Sequence, residues 1–256
     1  MEPVAYIKKG KIAYITLNRP EKLNAINMDM VNALSGIWQD FRDDQNIWVA
    51  ILNGVGKSFC AGADVPEQEV RKRTSFSELI TLGDRVIGPV RHKIWKPIIA
   101  AVHGHVIGAG LWLVLESDIV IAAENCQIGA PESALGIPVA FTSFLRNHIG
   151  WRAAAEILLV GDLISAARAY EMGLVNKVVP QDELLPAAER LAERICQNGP
   201  LAERAMKEIA YRTKDTDFRQ TLAILEEIII PIAKSEDAAE GRRAWMEKRK
   251  PQWKGK

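Results

Sequence analysis

The stretch that most restricts how this chain can fold is WKPIIAAVHGHVIGAGLWLVLESDIVIAAENCQIGAPE, residues 95–132. Its middle, residues 98–115, contains no Asp, Glu, Lys or Arg and approaches the roughly 20 apolar residues of a membrane span. Three glycines and two histidines interrupt it, which argues for a packed interior instead. Residues 98–102 read as a buried strand closed by His103-Gly104. Gly108-Ala109-Gly110 then opens an apolar helical pattern through Leu111, Leu113, Val114 and Leu115. Backbone N–H groups at a helix start lack intrahelical partners, and flanking glycines let a ligand approach them closely. The pattern therefore offers an anion site. Helix-on-strand packing would use the same glycines, so the choice rests on what surrounds them.

A chain of 256 residues with 48% hydrophobic content has ample apolar surface for a core. Thirty-three basic and thirty-two acidic residues leave a net charge of +1, which provides no overall field for nucleic acid or an anionic membrane. Cys60, Cys126 and Cys196 are odd in number and unpaired in spacing, as expected of thiols in a reducing compartment. The amino end has no apolar segment of signal-peptide length. A cytoplasmic protein is the expectation.

In chain order, residues 4–7 and 12–17 predict a hairpin. Asn24 to Asn27 supply cap residues for a helix with Met30, Leu34, Ile37, Trp38 and Phe41 on one face. Residues 48–52 predict a buried strand, and KSFCAGAD after it a second place where backbone could approach a ligand. Residues 66–77, with the solvated triplet Arg71-Lys72-Arg73, predict a polar segment bordering a pocket, and 79–94 a helix. Strands are expected at 118–123, 127–130 and 175–179. Pro131 places Glu132 at a strand-to-loop edge. Residues 135–149 read as a loop entering a helix, 152–160 as helical up to Gly161, and Ser165 as the cap of a short helix to Met172. From residue 182 helices dominate, at about 182–197, 200–213 and 215–234, with Pro231 as a break. Alternating strands and helices imply an α/β core at 1–195, and the remaining helices a C-terminal oligomerisation region at 196–256.

Two backbone donors on different loops, at Ala63 and Ala109, and a lone carboxylate at Glu132 are the parts needed to hold a carbonyl oxygen and move a proton beside it. The segments SFCAGADV, HGHVIGAG, ESDIVIAAE, QIGAPESALGIP, GDLISAARAYEMGLVNKVVP and SEDAAEGRRAWMEKRKPQW together resemble the crotonase superfamily, the enoyl-CoA hydratases and isomerases, over nearly the whole chain. The resemblance implies a spiral of ββα units with a C-terminal helical region, assembled as a homotrimer or a dimer of trimers. It implies an acyl-CoA thioester whose oxygen lies between the N–H groups of Ala63 and Ala109, and no cofactor beyond the coenzyme A of the substrate. Leu23, Ala25, Ala61, Asp64, Val65 and Gly108 fall on the loops that hold it. Trp245 and Lys248 match positions that reach the coenzyme A of an adjacent subunit.

One departure alters the expected chemistry. Of the family's two catalytic glutamates the second matches Glu132, while the first position holds Trp112. Indole donates a hydrogen bond but accepts no proton, and a core tryptophan on an apolar helix is its plainer role. Glu116, one turn further, either substitutes for the missing carboxylate or is paired structurally. The reading is an enzyme working through a thioester enolate with Glu132 as acid/base, an isomerase before a hydratase. A hydratase or hydrolase of ring-type or conjugated acyl-CoAs, a decarboxylase, and a non-catalytic acyl-CoA or RNA-binding relative are the alternatives. The last has support only from the basic tail at 248–254. No metal site is expected, since His103 and His105 lack acidic or thiol partners nearby, and Gly-Ala-Gly lacks the dinucleotide fingerprint.

Overall fold

The computed structural model describes residues 2–64, 87–136 and 138–256. The hairpin of β1 (Val4–Lys9) and β2 (Ile12–Leu17) pairs Val4 with Leu17 and Lys9 with Ile12. It begins a six-stranded sheet that continues in parallel through β3 (Val49–Gly54), β4 (Ile98–Val102), β6 (Ile119–Ala123) and β9 (Lys177–Val179). A second sheet has the order β5 (His105–Ile107), β7 (Gln127–Gly129) and β8 (Ile164–Ser165). After β4 the chain enters β5 and then helix α2 (Ala109–Leu115). After β6 it enters β7 and then a 3-10 turn at Pro131–Leu135. Strands β4 and β6 of the large sheet are thus each followed by a short strand of the small one and a helical segment, the ββα unit of the spiral that the resemblance implies.

The large sheet is covered on both sides, so its central strands β4 and β6 are apolar at every position rather than at alternate ones. Ala50, Leu52, Ile98, Ala100 and Val102 face α1 (Met28–Asp43) and its buried Met30, Leu34, Trp38 and Phe41. Val49, Ile51, Ile99 and Ala101 face α5 (Leu184–Ile195) and its Leu184, Ala188, Ala192 and Ile195. Asn27 caps α1 by accepting from the Met30 N–H at 3.0 Å. At the other end Lys96, 3% exposed, donates to the carbonyls of Phe41 at 2.5 Å and Asp44 at 2.6 Å.

Helices α3 (Thr142–Ala155), which is kinked at Gly150, and α4 (Ala166–Glu171) complete the core. A π turn at Glu156–Val160 follows α3. Beyond α5, α6 (Pro200–Arg212) is tied down by a Lys207–Asp118 ion pair of 2.7 Å and by Tyr211 against Trp95. Arg212, paired with Glu208 within α6, joins that helix to α7 (Phe218–Ala233) through Glu227. Among the described residues of α7 only Ile228 is buried, and Phe218, Leu222, Ile229 and Ile230 are exposed. Helix α8 (Glu236–Met246) ends in exposed Trp245 and Met246. Residues 251–256 fold back over it, with Asp237 accepting from the N–H of Lys254 and of Gly255 and the Trp253 indole donating to the Gln197 carbonyl.

Two expectations are corrected, and one strand is added. Pro231 does not break a helix: it forfeits one hydrogen bond close to the end of α7, and the chain turns only at Ser235, the cap of α8. The helix expected over 79–94 does not reach Ile94. Residues 65–86 lie outside the described residues, and after them there is only a 3-10 turn at Val90–His92, closed by Lys93 at φ 53°. Strand β5 was not anticipated, because three residues between two glycines are too few to show a period. The polar segment 66–77 and its basic triplet also lie outside the described residues. No described helix is long and apolar enough to cross a membrane.

Candidate active site

The loop after β2 is held by Asn24, which is fully buried. Its side chain accepts from the Arg19 N–H at 2.8 Å and donates to the carbonyls of Val55 at 2.9 Å and Ser58 at 2.8 Å. Leu23 and Asn24 both take left-handed backbone, at φ 48° and 57°. The Leu23 carbonyl accepts from the Ala61 N–H, and Arg19 bridges the Ala25 carbonyl to the Asp64 carboxylate at 3.0 Å. Leu23, Ala25, Ala61 and Asp64, separate in sequence, are therefore neighbours in space. Val65 lies outside the described residues.

Ala63 makes a parallel bridge with Ile26 in which the neighbours do the bonding: Ile26 N–H donates to Gly62, and Asp64 N–H donates to the Ile26 carbonyl. The N–H of Ala63 is left on the opposite edge. This loop packs against the start of α2. The Ile107 N–H donates to the Cys60 carbonyl, and a Cβ on Gly110 would come within 2.7 Å of Cys60 Cβ. Ala109 is the first residue of α2, so its own N–H has no intrahelical partner. Among the described residues neither Ala63 N–H nor Ala109 N–H has a hydrogen-bond acceptor.

Glu132 sits on the 3-10 turn after β7, and its carboxyl presses on Gly108, the residue before Ala109. A Cβ on Gly108 would lie 2.0 Å from Glu132 Oε1, and the backbone there has φ 52° and ψ −109°. Glu132 Oε2 is buried with no partner. Burial holds the acid above the ordinary carboxylate range, and a hydrogen bond from its own backbone N–H offsets this only in part. A carboxyl group with a spare oxygen, beside two unengaged N–H groups, is fit to exchange a proton with a molecule whose oxygen those groups hold.

Trp112 is 6% exposed, one turn along α2 from Ala109, with its ring 6.2 Å from that of Phe141. Its Nε1–H donates to Glu116 Oε1 at 2.5 Å. Glu116, 2% exposed, also accepts from the Val90 N–H at 2.9 Å, so it is structurally engaged, as one of the two expectations for it held. Burial raises its pKa as well. Lys248 follows α8 at φ 54°, and among the described residues no hydrogen bond or ion pair joins it to the loops around Glu132. His103 and His105 are engaged with the Gly56 carbonyl and the Ser58 hydroxyl. Sequence reasoning named Asn24 only among the cap residues, a role that falls to Asn27, and gave Arg19 none.

The helix start at Ala109 thus has Glu132 against Gly108 on one side and the Cys60–Asp64 loop packed near Gly110 on the other, within a spiral of ββα units. A family profile described as Enoyl-CoA hydratase/isomerase matches residues 7–256, and the chain belongs to that family. It is 38% identical over 248 residues to the mevalonyl-coenzyme A hydratase sidH of Aspergillus fumigatus, covering 95% of this chain and 91% of that one. It is 32% identical over 265 residues to the 2,3-dehydroadipyl-CoA hydratase of Escherichia coli, with 100% of both chains covered. The crystal structure of enoyl-CoA hydratase EchA1 from Mycobacterium marinum superimposes with a TM-score of 0.92 at 34% identity, with 100% of both chains covered.

Proposed function

We propose that this enzyme forms and quenches the enolate of an acyl-CoA thioester with Glu132 as its acid/base. The observation that carries the reading is the contact of Glu132 with Gly108, which places a carboxyl with one unpartnered oxygen beside the Ala109 N–H. The thioester oxygen accepts hydrogen bonds from the N–H groups of Ala63 and Ala109. Ionised Glu132 removes the α proton of a 3-enoyl thioester, the electron pair delocalises onto the held oxygen, and Glu132 returns the proton to the γ carbon. One carboxylate is sufficient for this shift of the double bond. Leu23, Ala25, Ala61 and Asp64 hold the coenzyme A portion, with Val65 and, from a neighbouring copy, Lys248.

Water addition is the second reading, favoured by the hydratase names of the relatives. It needs Glu132 to position water and supply a proton without a second carboxylate, for a conjugated or ring-type acyl group. The exposed apolar face of α7, with Trp245 and Met246, supports self-association as a trimer or a pair of trimers. The cytoplasm is the compartment we assign. The test is a 3-enoyl-CoA in deuterated water, followed by NMR. Double-bond shift and α-deuteration are expected, and Glu132→Gln should lower both by about 100-fold to 10,000-fold with acyl-CoA affinity retained. Unchanged turnover in that variant would overturn the assignment.

A further inference from the structure

Of the half-buried Glu132 near the start of α2 and the buried Glu116 at its end, only Glu132 has an oxygen to spare. Glu132 Oε2 has no partner. Glu116 has both oxygens engaged, Oε1 by the Trp112 indole at 2.5 Å and Oε2 by the Val90 N–H at 2.9 Å. It is also wedged against backbone, since a Cβ on Gly88 would fall 2.0 Å from its Oε2. With each oxygen already accepting a hydrogen bond and backbone packed against Oε2, Glu116 is poorly placed to hold a substrate water. Glu116 therefore does not replace the acid that Trp112 displaces.

What it does is hold the indole. Residues three apart on a helix share a face, so Trp112 lies on the side of α2 that begins with Ala109. The ring is confined by Phe141 on one side and by the hydrogen bond to Glu116 along the helix. Through Val90 the same carboxylate fastens α2 to the 3-10 turn at Val90–His92, so the indole is braced by two elements. We infer that Glu116 is a positioning residue that fixes Trp112 as a water-excluding wall beside the thioester, so that the site favours proton transfer over water addition. The inference rests on the enolate reading above and adds to it the control of reaction outcome.

The experiment compares Glu116→Gln with Glu116→Leu. Glutamine keeps an oxygen for the indole N–H, whereas leucine fills similar volume and leaves the indole without an acceptor. Each variant is given a 3-enoyl-CoA in deuterated water, and the ratio of 3-hydroxyacyl product to double-bond shift is measured. Leucine should raise that ratio about tenfold or more, and glutamine should keep it within about threefold of the unmodified protein, the scale on which about 1.4 kcal/mol is one decade. A general packing defect would lower both products together and leave the ratio fixed. An equal ratio in all three proteins, with native circular dichroism, overturns the inference. So does an equal shift in both variants. If Glu116→Leu does not fold, Trp112→Phe, which removes the indole N–H and part of the wall, replaces it, and an unchanged ratio there overturns the inference equally. Glu132→Gln is run beside them. Loss of both products in that variant with a ratio indifferent to Glu116 would reject the positioning role while leaving the enolate reading intact. Unchanged turnover in Glu132→Gln would reject the reading itself.

Discussion

Gly108→Ala should disable the enzyme by moving a residue it does not replace. An added Cβ would stand 2.0 Å from Glu132 Oε1, and real Cβ atoms essentially never come closer than 3.0 Å to a neighbour. The difference, 3.0 minus 2.0, is a retreat of at least 1.0 Å for the carboxyl or an equal shift of the loop that carries Ala109. Misplacement by about 1 Å at a reacting centre costs about 100-fold in rate, which corresponds to about 2.7 kcal/mol of activation free energy. The backbone adds a separate stability cost, since φ 52° with ψ −109° is a region that side chains with a Cβ rarely adopt, worth about 1–3 kcal/mol. Gly173→Ala separates the two effects: it also has positive φ, 80°, but nothing within 4 Å of the added atom. Both variants should lower the urea midpoint, and only Gly108→Ala should lower α-deuteration of a 3-enoyl-CoA by about 100-fold. A folded Gly108→Ala protein that retains activity within about tenfold of the parent would refute the proposed contact between the acid/base and the donor loop.

Two further outcomes follow from titration. Burial raises the pKa of Glu132 above its ordinary value of 4.5, and the base must be ionised to take a proton. The acid limb of kcat/KM should therefore fall with a midpoint above 4.5, and a limb at or below that value would show that burial is relieved in solution. Lys96 is held down to about 8 by burial, with Arg204 beside it, against 10.5 when unfolded. A depressed lysine contributes stability above its unfolded value that is lost as pH falls toward its folded one, so stability relative to Lys96→Met should decline from 10.5 to about 8 and then level off. At the alkaline end Lys96→Met should be less stable by about 1–3 kcal/mol, because two buried carbonyls lose their donor, and a pH-independent difference in urea titrations would refute the shift.

The parts of this fold that could be read in the sequence are those where one physical cause acts locally. Ile98–Val102 is apolar at every position because the strand is covered on both faces, and Asn27 caps α1 because its side chain meets the backbone three residues on. Ala63, Ala109 and Glu132 could be named from their settings, a small residue after a strand, a helix start and a proline-closed edge. Their convergence could not, because it depends on the close approach of Cys60 to Gly110 and of Gly108 to Glu132. Trp112 was legible as a departure but not its partner. The sequence permits an i, i+4 pair with Glu116, and only the fold shows that the Val90 N–H takes the other oxygen. Pro231 misled because its cost depends on how near it lies to the end of the helix.

Asn24 has a consequence for how the enzyme meets its ligand. Two consecutive left-handed residues, Leu23 and Asn24, would be sparsely populated in a free loop, yet three side-chain hydrogen bonds of Asn24 keep them there. Fixing a residue's backbone costs about 1–2 kcal/mol of conformational entropy. Here that loss is incurred during folding, so residues 23–25 bring no further ordering penalty to the complex. If coenzyme A seats here as proposed, association at this edge is set by diffusional encounter and orientation rather than by the rate at which the loop finds its bound shape.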